Sequence, residues 1–340
     1  MTLHESCLPT FAGHQTFHPR FGWLKKAYDA VTENPSVFSE PEAPLTLGVG
    51  KNMVEAMKFW AQAFGVVERG HSVAKNQLTS TVFGDAFFAE GALDPYLEDE
   101  GSLWILHWRA LSAPSILPVW WVAFNKFTNP EFTEDDLRIF VSSELEQAQF
   151  KTPALGSIKK DVDCLLRMYS SKKERGRQTW EELLDSPFRA LRLIEPIATR
   201  AGAFRLKPLG TSNVPDDIAI FCCMDFLSRL NLSANTISLS RLILDENSPG
   251  KLLRLSEDQL VAIFERAGSQ AQKDFQLASA AGAMMLTFSA SPEAIAAKIL
   301  RKRYSRKSAS PVLKFHRFTG DASYLTKNEV LNSFEGRGVE

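Results

Sequence analysis

"PLTLGVGKNMVEAMKFWAQAFGVVERGHSVAKNQLTSTVFGDAFF", residues 44–88, decides how the chain begins to fold. Met53, Met57, Trp60, Ala61 and Phe64 recur at helical spacing after a glycine turn. Beyond them "GVVER", polar "GHSVAKNQ" and "LTSTVFGDAFF" read as strand, turn, strand and helix. Upstream, "PRFGWLKKAYDAV" (19–31) places Leu24, Ala27, Tyr28 and Val31 on one helical face. Pro19 suits a first turn, where its missing N–H costs nothing. Helix, turn, helix and β-hairpin in that order is the pattern of a winged helix.

The later segments read as helices. "EGSLWILHWRAL" (100–111) and "SIKKDVDCLLRMYSSKKERGR" (157–177) carry apolar residues at helical intervals. "SEDQLVAIFERAG" (256–268) opens with Ser256 and Gln259 in capping-box spacing, and "SPEAIAAKILRKRYSRK" (291–307) starts with Ser-Pro. The expected class is mainly α (α+β), with a winged-helix-like start followed by α-rich parts. A chain of 340 residues exceeds what one core usually serves. Breaks at the Pro-rich stretch ending near Pro118 and at "NVPDD" (213–217) divide it into three. They are a DNA-binding domain (1–118), a helical domain carrying "KKDVDC" (119–212) and a C-terminal α-rich domain with a basic helix (213–340).

With 39 basic against 40 acidic residues the net charge is −1, so a footprint for a polyanion must be local. "MTLHESCLPTF" lacks the pattern of a signal peptide, and no apolar run is long and uninterrupted enough to span a bilayer. The four cysteines show neither CxxC spacing nor a disulfide framework. A cytoplasmic protein with reduced, buried thiols, away from the membrane, is expected.

Several stretches invite chemistry, and each has a structural alternative. "LGVGKN" (47–52) fails as a phosphate loop: Leu45 stands where a Walker loop needs glycine, and Asn52 where it needs a hydroxyl. It is either a helix cap or a turn offering Lys51 and Asn52 to a DNA phosphate. "LDPYLEDEGS" (93–102) concentrates Asp94, Glu98 and Asp99, oxygen donors suited to a hard cation, but also ordinary helix-start chemistry. In "SIKKDVDCLLRMY" (157–169), Asp161 and Asp163 are two apart and do not share a helical face. Asp163 precedes Arg167 by four, the spacing of an intrahelical pair, whereas Asp161 beside Lys159 and Lys160 suits metal and phosphate.

"KILRKRYSRK" (298–307) has six Lys or Arg and no acid, the clearest local footprint for nucleic acid, with Tyr304 placed to stack on a base. A helix C-terminus also favours such cations. His107 and the Cys222–Cys223 pair read as core. In "FAGHQTFHPRFGWLKK" (11–26), His14 and His18 are four apart, but Pro19 puts a helix start after His18. The pair therefore reads as capping and packing, with Phe17, Phe21 and Trp23 as core, or as a catalytic base or ligand.

"FAGHQTFHPRFGWLKK", "LGVGKNMVEAMKFWAQAFGVV", "DPYLEDEGSLWILHW" and "KKDVDCLLRMY" together resemble a bacterial domain-of-unknown-function family found in sulfur-modification defence clusters, the SspB type. The resemblance runs from about residue 10 towards the C-terminus and loosens after about 200. It implies a protein that binds DNA and, with Mg²⁺, nicks one strand for phosphorothioation. The implied partners are DNA, a cysteine desulfurase, an ATP-pyrophosphatase-like enzyme and an ATPase, and a homodimer is compatible with it. The alternative is a non-catalytic winged-helix adaptor that recruits the sulfur-transfer enzymes.

Chemistry rather than resemblance assigns the residues. Asp161, Asp163, His14 and His18 are the catalytic candidates, and Asp94, Glu98, Asp99 and Asp161 the metal ligands. Arg20, Lys25, Lys26, Lys51, Asn52, Lys159, Lys160, Arg301, Lys302, Arg303, Arg306 and Lys307 are the DNA contacts.

Overall fold

A short N-terminal turn, α1 (Leu3–Ser6), precedes an irregular loop that ends at Gly22. Gly22 takes a left-handed conformation (φ 79°) as the cap of α2 (Trp23–Glu33), a geometry that glycine adopts without strain. The helix therefore starts four residues after Pro19, which lies in the loop and not in its first turn. Leu24, Ala27, Tyr28 and Val31 form its buried face, with Trp23 added. In this computed structural model the chain is described over residues 2–69, 77–151, 153–170, 185–230, 234–271, 274–280 and 282–304.

After α3 (Ala43–Leu47), Gly48 (φ 61°) reverses the chain and α4 (Lys51–Ala63) follows. Its apolar spacing buries Val54, Met57, Trp60 and Ala61 against α2. Burying a large aromatic such as Trp60 stabilises by about 2–3 kcal/mol. β1 (Val67–Arg69) and β2 (Leu78–Ser80) pair antiparallel, Val67 opposite Ser80. Thr81 then caps α5 (Val82–Phe88), its hydroxyl accepting from the Gly84 N–H. A Cβ on Gly84 would stand 2.2 Å from the Val66 carbonyl oxygen, so only glycine lets α5 lie this close to the hairpin. Helix, turn, helix and hairpin thus follow in the order read from the sequence; "HSVAKN" at the hairpin tip lies outside the described residues.

The middle of the chain is helical and largely apolar. α6 (Glu100–Leu111) and α7 (Pro118–Asn125) are buried on nearly every side, and α8 (Glu134–Gln147) and α9 (Leu155–Tyr169) pack beside α7. α10 (Asp216–Arg229) packs on α6; α11 (Leu239–Leu244), α12 (Pro249–Leu253) and α13 (Glu257–Ala271) follow. α14 (Pro292–Tyr304) lies along α10.

Two further antiparallel sheets complete the fold. One has the order β3 (Glu131–Thr133), β5 (Ala203–Leu206), β4 (Ile194–Pro196). The other has the order β6 (Thr236–Ser238), β8 (Ala283–Phe288), β7 (Phe275–Ala280). The protein is mainly α with small β elements. Its buried apolar residues run as one cluster from Leu3 to Tyr304.

Polar nodes inside this core join distant parts of the chain. His107 Nε2 donates to the Leu252 carbonyl (2.8 Å), so Nδ1 accepts from the Tyr169 hydroxyl (2.7 Å), tying α6 to α12 and α9. Burial pulls its pKa down to about 4, so the ring is neutral at pH 7. Trp108 donates to Asp225 (2.6 Å) between α6 and α10. Cys7, Cys164, Cys222 and Cys223 are free and buried, and burial pushes their thiols up. Among the described residues no helix is long and apolar enough to cross a membrane.

Candidate functional site

The loop before α2 and the helix α9 lie about 150 residues apart in sequence and meet in the fold. Asp161 Oδ1 accepts from the Ala12 N–H (2.9 Å) and from His14 Nε2 (2.6 Å). The Thr16 N–H donates to His14 Nδ1 (3.1 Å), which leaves Nε2 as the nitrogen that donates to Asp161. His14 is fully buried among Phe59, Trp60 and Trp120. Both of its nitrogens are therefore occupied.

The same helix grips the loop again one turn on. Asp163 pairs with Arg167 (2.8 Å), and Arg167 donates to the Thr16 carbonyl (2.8 Å). Trp60 donates to the Phe17 carbonyl (2.8 Å) from below. Between these clamps Ala12, Gln15 and Thr16 have φ of 54°, 49° and 71°. Three non-glycine residues in the left-handed region cost on the order of 1–3 kcal/mol each, and the clamps offset that strain.

His18 behaves differently. It is buried, and its Nδ1 has no hydrogen-bond partner among the described residues. Nε2 faces Asp185 Oδ1 at 3.2 Å. Desolvation pulls its pKa down to about 4 against the opposing pull of Asp185. Asp185 also pairs with Arg189 (2.9 Å), and Arg20 Nε stands 4.0 Å from it. Asp185 and Arg189 escaped sequence reasoning, because only the folded loop brings His18 to them.

The acidic stretch before α6 is occupied by its own fold. Asp94 is buried and accepts from the Glu98 N–H (3.1 Å), the Asp99 N–H (2.9 Å) and the Ser102 hydroxyl (2.6 Å). Asp99 caps α6 through the Gly101 N–H and pairs with Arg303 (2.6 Å). Glu98 is exposed. Among the described residues no group of three His, Cys, Asp or Glu stands ready to hold a metal. Both oxygens of Asp94, and Oδ1 of Asp99 and of Asp161, already accept hydrogen bonds, so these carboxylates do not form a bare, preformed magnesium cage.

The cationic candidates divide. Lys51 and Asn52 are exposed at the start of α4, Lys159 and Lys160 along α9, and Arg301 and Lys302 at the end of α14. Lys25 pairs with Asp29 (2.5 Å), and Lys26 donates to the Leu47 carbonyl that ends α3. Arg303 is drawn inward by Asp99 and Asp217 (2.6 Å each). Tyr304 is buried with its hydroxyl against Ser102, so it does not stack on a base. Arg306 and Lys307 lie outside the described residues. Phe21, expected in the core, is 43% exposed because the turn at Gly22 carries it outward.

A family described as "Protein of unknown function (DUF4007)" matches residues 11–304. Among curated proteins none matches the chain. One solved structure, described as "SspB crystal structure", is 35% identical, with 91% of this chain and 92% of that one covered and a TM-score of 0.82. A second, "Magnesium ion-bound SspB crystal structure", is also 35% identical, over 96% and 97% of the two chains, with a TM-score of 0.83. Since the match takes in the clamped loop, α9 and the Asp94 loop alike, the chain belongs to the DUF4007 family and is of the SspB type.

Proposed function

We propose that this protein binds DNA and nicks one strand, as a component of a bacterial phosphorothioation system. The observation that carries the reading is 35% identity to SspB over more than nine-tenths of both chains. The α2–α4 unit with its β1–β2 hairpin supports a winged-helix-like DNA contact, with Lys51 and Asn52 at a helix start facing phosphate. Lys159, Lys160, Arg301 and Lys302 extend the contact. Cytoplasmic location, partnership with a desulfurase, an ATP-pyrophosphatase-like enzyme and an ATPase, and self-association belong to the same proposal.

Nicking needs a base for the attacking water. Of the two loop histidines His18 suits that role, because both nitrogens of His14 are hydrogen-bonded while Nδ1 of His18 has no partner among the described residues. Neutral His18 takes the proton of the water as its oxygen attacks phosphorus and the P–O bond to the leaving oxygen breaks. Asp185, beside it, stabilises the imidazolium, and Arg20 and Arg189 hold positive charge nearby. Magnesium dependence rests on the magnesium-bound relative, and the proton step runs through His18 without it.

The test is incubation of pure protein with supercoiled plasmid and Mg²⁺, with and without chelator. Nicked circles that vanish with chelator, and fall at least a hundredfold in His18→Ala with duplex binding kept, support the reading. Plasmid left supercoiled while a gel shift reports binding overturns it. That outcome favours the non-catalytic adaptor, the reading to which the hydrogen-bonded Asp94, Asp99 and Asp161 carboxylates lend support.

A further inference from the structure

Phe21 and Tyr96 are 43% and 65% exposed, unusual for rings this large, and they line one recess together with Arg20, Lys25 and Phe188. The recess holds about 30 Å³, room for roughly one water, so a planar ligand lies on the aromatic rims rather than inside. Lys25 Nζ stands 5.9 Å from the centre of the Tyr96 ring, and the Arg20 guanidinium 5.8 Å from that of Trp23. The Arg20 side chain is 41% exposed, its Nε 4.0 Å from Asp185 Oδ1, so its guanidinium reaches solvent beside the rings.

Exposed rings beside cations complement a nucleotide, whose base offers a π-face and whose phosphate offers acceptors. A base within a duplex has both faces covered by its neighbours, so these rings select a nucleotide out of the stack. We infer that this face holds one unpaired nucleotide of a DNA strand, its base on Phe21 and Tyr96 and its phosphate on Arg20. The inference rests on the DNA-binding function proposed above.

Fluorescence anisotropy of a labelled single-stranded oligonucleotide, and of the same sequence as a duplex, tests it. The paired variant Phe21→Ala with Tyr96→Ala is expected to lose at least tenfold in single-strand affinity, with duplex affinity within twofold of wild type. Tyr96→Phe, which keeps the ring, is expected to bind both as wild type does. Unchanged single-strand affinity in the paired variant overturns the inference, as does an equal loss for both DNA forms. Wild-type protein that binds the duplex alone overturns this inference and leaves the proposed function standing. Protein that binds neither form overturns both.

Discussion

Two histidines four residues apart in one loop end in opposite states. His14 is held between Asp161 and the Thr16 N–H, whereas His18 is buried with Nε2 facing Asp185 and Nδ1 without a partner among the described residues. Removing Asp161 strands the Ala12 N–H and the His14 Nε2–H together, each worth about 1–3 kcal/mol when left unsatisfied in a buried site. Asp161→Ala is therefore expected to lose about 2–4 kcal/mol in urea unfolding. Asp161→Asn still offers an oxygen and is expected to recover more than half of that loss. If Asp161 clamps the loop rather than joining the reaction, Asp161→Asn also keeps plasmid nicking within about threefold; abolished nicking in a stable Asn variant sinks that view. Desolvation of His18 and His107 also sets a pH dependence. Both His18 and His107 are lowered from 6.5 to about 4, so the unfolded chain binds more protons between those values. Stability contributed by each is present above pH 6.5 and lost as pH falls towards 4, on the order of 2–3 kcal/mol per ring. Urea unfolding at pH 7, 6, 5 and 4 checks this: His18→Asn is expected to flatten the fall, and a parallel curve refutes the assignment to His18.

At the scale of elements, α5 and α14 show what local pattern carries and what it leaves out. Thr81 and Gly84 could be read as a helix start, but not that α5 rests on the Val66 carbonyl. Gly84→Ala is expected to lower stability by about 2–4 kcal/mol, read as a fall in Tm, because the backbone in its way cannot rotate aside. For α14 the basic run was visible and its division was not. Ile295, Leu300 and Tyr304 face the core, and Arg303 turns with them to reach Asp99 and Asp217. A helical period separates faces, yet it does not say that acids from α6 and α10 wait beneath one of them. Arg303→Met is accordingly expected to cost about 1–3 kcal/mol of stability, the penalty of leaving two half-buried carboxylates unpaired. The paired change Arg301→Ala with Lys302→Ala is expected to leave Tm within about a degree and weaken duplex binding. Its log–log salt slope should fall by about 2, since each phosphate contact contributes close to one unit. An unchanged slope removes α14 from the DNA contact.

For the molecule as a whole, mainly α class and the helix–turn–helix–hairpin order were legible because helical spacing and glycine turns are local signals. The three- and four-residue strands of the β3–β5–β4 sheet were not, since so short a run shows no alternation. The Asp185 partner of His18 was hidden for a related reason, being set by a contact across 167 residues of chain that no spacing rule encodes. Such long-range bonds also bear on the division at 118 and 212. His14 reaches Asp161, Ser6 accepts from Asn247 (3.0 Å), and Trp108 donates to Asp225, each crossing one or both of those points. A fragment 1–118 would expose Trp60 and Trp104, fully buried in the intact chain, and strand several of these polar groups. Full-length protein is expected to unfold in one cooperative step followed alike by tryptophan fluorescence and circular dichroism. The fragment should give a broad, shallow transition with exposed-tryptophan emission from the start. A sharp two-state transition in fragment 1–118 would instead establish the N-terminal part as an autonomous domain, and its duplex affinity would then locate the DNA contact within it directly.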